Sequence, residues 1–167
     1  LFRGAISFNQ DISSWDVSNV SVMNSMFRDA SSFDQNIGSW NVSNVTDMVS
    51  MFNGASLFNK DLLWDVSKVI NMGSMFRDAA IFNGDISLWN PISAITMQSM
   101  FQNATTFNED ISSWDVGNVT NMKFMFRNAT SFNHNIGDWD VSSVSSMASM
   151  FASATSFNGT ISGWDVS

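Results

Sequence analysis

The chain of 167 residues has no cysteine, a single proline, a single histidine, a single glutamate, and charge on only 13 % of its positions. Without cysteine there is no disulfide framework and no thiolate chemistry, although the compartment is left open. His134 sits at a loop position that carries Gln10, Lys60 or Gly84 elsewhere, and Glu109 occupies the same column. No phosphate-binding glycine loop, nucleophile elbow or metal-spaced His/Cys cluster is present, so the sequence does not read as an enzyme. No apolar run approaches the length of a membrane span, and no signal sequence opens the chain. A net charge of −8 and a pI of about 4.2 argue against nucleic-acid phosphates and anionic membranes as partners. With 44 % hydrophobic residues, disorder is not expected either.

What the chain does have is a repeat. Trp falls at 15, 40, 64, 89, 114, 139 and 164, in steps of 25, 24, 25, 25, 25 and 25. All 12 Met belong to Met-x-x-Met pairs, and a second Phe follows at 8, 33, 58, 82, 107, 132 and 157. A fixed period in this range is the signature of a solenoid. We divide the chain into a partial repeat 1–14, repeats 15–39, 40–63, 64–88, 89–113, 114–138 and 139–163, and a partial repeat 164–167, all one segment. It begins inside one repeat and stops inside another, which predicts a piece of a longer array.

Within one repeat two rhythms alternate. Val45, Met48, Met51, Phe52 and Ala55 lie at offsets that share one side of a helix. Ser43 or Asn44 would be its N-cap and Asp47 would lie in its first turn, with Asn53-Gly54 weakening its end. Ile37-x-x-Trp40-x-Val42 alternates at period two, which predicts a short strand. Phe58 anchors the loop between them. The expected fold class is therefore α/β: one short strand and one short helix per repeat, with a parallel sheet on the concave face. Met and Trp columns then form core strips, not cofactor sites.

The string I-x-x-W-x-V resembles the strand signature of leucine-rich repeats. The fuller string F-N-x-D-I-S-S-W-D-V-S-N-V-T-x-M-x-x-M-F is similar to that of the BspA-type leucine-rich-repeat surface proteins, over the whole chain. The resemblance implies a curved solenoid, exposure at the cell surface and adhesion to host or matrix proteins, with no catalytic residues to carry over. Two repeats depart from the pattern: "DLLW" before Trp64 lacks one residue, and "WNPISAIT" puts Pro91 where Val is expected. Pro cannot donate to a ladder, which predicts a local defect there.

The outward columns carry the functional expectations. Asp16, Asn41, Asp65, Asn90, Asp115, Asp140 and Asp165 follow Trp, and Ser18, Ser43, Ser67 and Ser142 follow Val. These residues form the candidate interaction face for an extracellular or cell-surface protein or glycan. Asp115, Asp140 and Asp165 are candidates for weak Ca²⁺ binding, set against the six or more oxygens Ca²⁺ takes; no other cofactor is expected. The Asn column (Asn9, Asn59, Asn83, Asn108, Asn133, Asn158, with Asp34) reads as structural. Four of seven basic residues, Arg3, Arg28, Arg77 and Arg127, share one column on the opposite side. Sequons such as Asn19, Asn44 and Asn118 arise from a Ser/Asn/Thr-rich repeat and would bear glycans only in a secreted eukaryotic protein. The expected role is a non-catalytic adhesion or protein-binding module at the cell surface. The alternative is a structural protein whose solenoids associate end to end.

Overall fold

The chain folds as a stack of coils, one per 25-residue repeat, and the computed structural model describes residues 1–166. Ser167, the last member of the Ser column, lies outside the described residues. Among them there is no helix and no continuous strand; neighbouring coils touch at isolated parallel bridges, Val22 to Asp47 to Asn71 to Thr96 to Asn121 to Ser146. The expected α/β architecture, with a strand and a helix in each repeat and a concave sheet, is thus overturned. So is a leucine-rich-repeat solenoid.

The physical reason lies in the Met-Phe segment. The Met51 N–H donates to the Met48 carbonyl at 3.1 Å, Ala55 to Phe52 at 3.0 Å and Phe58 to Ala55 at 3.1 Å. Each bond closes a β-turn whose first and last residues are buried in the core. Consecutive turns put Met48, Met51, Phe52 and Ala55 inside, the i, i+3, i+4, i+7 spacing that an amphipathic helix also gives. Periodicity alone cannot separate the two. Backbone geometry does: Ser50 has φ 56° and Gly54 φ 73°, left-handed values at the third position of successive turns, as in type II turns. A right-handed helix cannot contain them. The column of Gly4, Asp29, Gly54, Asp78, Asn103, Asn128 and Ser153 is rich in the residues that tolerate this conformation. The expected N-cap residues Ser43 and Asn44 are instead the middle of a turn closed by Val45 N–H on the Val42 carbonyl, and Asp47 caps Val49 N–H at 2.9 Å.

The turns leave alternate N–H groups free to reach the next coil. Met48 donates to Asn71, Ser50 to Gly73, Phe52 to Met75 and Gly54 to Arg77, at 2.8 to 3.0 Å. The predicted Trp-x-Val strand has no such ladder. There the coils are tied by the indoles: Trp64 Nε1–H donates to the Ile37 carbonyl and Trp89 to that of Leu62, at 3.0 and 2.7 Å. Columns of like residues then stack. Phe52 lies between Phe27 and Phe76 with centroids 5.6 and 5.5 Å away, in offset-stacked geometry. The interior Trp column is buried as expected, from Trp40 to Trp139, while Trp15 is 42 % exposed.

Both sequence irregularities are absorbed. Pro91 is buried in the Val column, where Val17, Val42, Val66, Val116 and Val141 make no backbone N–H bond, so the missing donor creates no defect. Its carbonyl still closes the turn with Ala94 at 2.9 Å. The residue lost before Trp64 removes the local turn seen at Trp40, and Leu62 N–H donates to Asp85 of the next coil instead. Two outcomes test this fold. Far-UV circular dichroism should lack the paired minima of a helix, and Trp emission should be blue-shifted. Phe52→Ala should cost about 3–5 kcal/mol by denaturant titration, whereas Gln98→Ala, exposed at a turn, should fall within about 0.5 kcal/mol of the parent.

Candidate functional site

The residues that follow Trp are outward because Trp and Val on either side point into the core. Asp16, Asn41, Asp65, Asn90, Asp115, Asp140 and Asp165 are all exposed; Ser18, Ser43 and Ser67 are partly buried, and Ser142 is exposed. Most are engaged locally. Asp16 Oδ1 accepts from Ser18 N–H, Asn41 from Ser43, Asp65 from Ser67, Asp115 from Gly117 and Asp140 from Ser142, at 3.0 to 3.2 Å. These are Asx turns. The column is therefore largely a row of turn caps, each using one side-chain oxygen, not the face of a sheet.

The hydroxyl of Ser142 also donates to Asp140 at 2.7 Å, as Ser87 does to Asp85. These hydroxyl bonds, then the backbone N–H bonds, hold both carboxyls below the usual Asp range. As for cations, no group of three or more His, Cys, Asp or Glu that could hold a metal occurs among the described residues. Asp115 and Asp140 both approach Gly117, which brings two carboxylates together, fewer ligands than Ca²⁺ takes.

The Asn column is a ladder. The side-chain oxygen of each member accepts the backbone N–H of the same position one coil on: Asn9 from Asp34, Asp34 from Asn59, Asn59 from Asn83, Asn83 from Asn108, Asn108 from Asn133 and Asn133 from Asn158. Side chains in the variable column next to it reach back to the preceding coil. Lys60 pairs with Asp34 at 2.7 Å, and His134 Nε2 lies 2.9 Å from the Asn108 carbonyl. Glu109 accepts from Asn83, and burial, followed by the charge of Asp85, raises its pKa.

The basic column differs between coils. Arg28 faces Asp29 and Arg77 faces Asp78, with Nε–Oδ2 distances of 3.4 and 3.2 Å. In the repeat 114–138 the acid is replaced by Asn128, whose amide donates to Asn103. Arg127 lies instead over the ring of Phe124, its Cζ 5.3 Å from the centroid, and Lys123 Nζ approaches the same ring at 4.8 Å. Phe124 is half-buried at φ 61°, in a column that is otherwise Ser25, Ser50, Ser74, Ser99 and Ser149. A bulky side chain is an outlier in that region, at a cost on the order of 1–3 kcal/mol. Sequence reasoning found the arginine column but not this residue, although the break in the Ser column was visible.

A protein-family model described as "Mycoplasma protein of unknown function, DUF285" matches residues 1–89, 39–133 and 82–167, overlapping as a repeat allows. No curated protein matches the chain, and no solved structure does.

Two titration effects of opposite sign follow. Asp85 and Asp140 have depressed pKa values, so their turns stabilise the fold above the ordinary Asp value and lose that contribution as pH falls through the folded value. Glu109 is raised, so its ionisation opposes folding and is relieved as pH falls through its own value. The melting temperature should therefore hold or rise slightly on mild acidification, then fall below about pH 4. Glu109→Gln should remove the rise and keep the acid limb, and an unchanged rise in that variant would sink the assignment.

Proposed function

We propose, for a chain that belongs to the DUF285 family, whose description assigns no function, a non-catalytic binding module at the cell surface or outside the cell, holding another macromolecule on the sides of its coil stack. The observation that carries this reading is the row of exposed Asp and Asn caps, Asp16, Asn41, Asp65, Asp115 and Asp140, on a rigid support, with the exposed Asn90 in the same column. None of these side chains is part of the apolar core. Local Asx turns fix their positions, so a partner meets pre-ordered side chains and loses little entropy to organise them. The sequence resemblance to the BspA-type surface proteins points the same way, although the leucine-rich-repeat fold it implied is not the one adopted. Each coil offers a small contact, and useful affinity comes from several coils acting together.

The test changes charge and keeps structure. Asp16→Asn, Asp65→Asn, Asp115→Asn and Asp140→Asn combined should preserve folding, because Asn41 closes the same turn. Binding of the purified protein to cells or extracellular matrix should fall roughly tenfold or more as four charges are lost. Undiminished binding by the folded quadruple variant would overturn the assignment of this face. Formation of long fibres with no cell or matrix binding would favour a structural role instead.

A further inference from the structure

Tight interfaces are dominated by aromatic and Arg anchors, which the Asp and Ser columns lack. One place among the described residues sets two cations against a half-buried aromatic ring. Lys123 and Arg127 flank Phe124 within a stretch, residues 116–137, that contains no acid. The corresponding stretches of the two neighbouring coils, within 86–108 and 141–164, contain no charged residue at all. Arg28 and Arg77 are met by Asp29 and Asp78, but Arg127 is followed by Asn128. Two of the seven basic residues of a chain with net charge −8 are thus held on one ring within a neutral surround. Charges farther off than about 8 Å are largely screened at physiological salt, so this patch acts by its own sign.

We propose that Lys123, Phe124 and Arg127 form an anchor for an acidic peptide segment of a partner protein. The inference rests on the reading of the chain as a binding module and names the chemistry of one contact. Both cations lie against one ring, so an acidic segment meets two charges already held at fixed positions. The exposed part of the Phe124 ring offers apolar contact to an adjacent side chain. Nucleic acid fits less well. Its affinity grows with the number of phosphates contacted, two cations supply few such contacts, and a ring already faced by two cations is a poor stacking platform for bases. Phe124 also holds a conformation that Ser fills in five other coils, so packing alone does not call for it.

The experiment exchanges the site for its equivalents in repeat 89–113. Lys123→Gln with Arg127→Gln installs the residues at Gln98 and Gln102, and Phe124→Ser installs that at Ser99. Poly-L-glutamate is the probe, with fluorescence anisotropy as the readout. The wild-type protein should bind it, more weakly as salt rises. The double variant should lose roughly tenfold or more, and Phe124→Ser should weaken binding without lowering the melting temperature. Asn128→Asp should also weaken it by restoring an acid beside Arg127. Equal binding by wild type and the double variant would overturn the proposal, as would tighter binding of poly-uridylate than of poly-L-glutamate. The two readings fail separately. Glutamate binding that depends on Lys123 and Arg127, in a protein that ignores cells and matrix, removes the surface-module role and leaves the site standing.

Discussion

Every other feature of this molecule depends on how one coil divides its backbone N–H groups. In the Met-Phe segment alternate residues donate within the coil, closing turns, and the residues between donate to the next coil. A helix would keep all of these bonds inside the segment, and a strand would send them all to neighbours. The division requires a left-handed residue at every fourth position, supplied by Ser, Asp, Asn and Gly and once by Phe124. It also fixes the spacing between coils at that of a parallel pair, about 4.8 Å. Columns of like residues follow from that spacing.

Polar side chains complete what the backbone starts. The Asn ladder caps an N–H that the turns leave over, once per coil, and the indole N–H groups tie the Trp segment that lacks a backbone ladder. Much of the chain's Ser, Asn and Asp content is therefore structural. This explains how a protein with so few charges stays ordered, and why a column that looks like a binding stripe is also a row of turn caps. On the proposed binding role, specificity would reside where a coil departs from its neighbours, as at Phe124, where an aromatic residue replaces Ser and an amide replaces the acid beside Arg.

The period, the inward Met, Phe and Trp columns and the structural Asn column were legible in the sequence, because burial and stacking act on side-chain identity at fixed spacing. The type of backbone was not. Val45, Met48, Met51, Phe52 and Ala55 satisfy a helix and a chain of turns equally, since both put i, i+3 and i+4 on one side. The discriminating residues were present, in the Ser50 and Gly54 columns, but Ser and Gly have several uses and only φ reveals which one applies. Pro91 was misjudged for a related reason: its cost depends on whether that position donates a bond, and only the assembled coils decide this. The same holds for Phe124, Lys123 and Arg127. Sequence placed them within five positions of each other, and the tertiary structure brought both cations onto one ring, because the left-handed turn leaves the Phe124 side chain only half-buried, within reach of both.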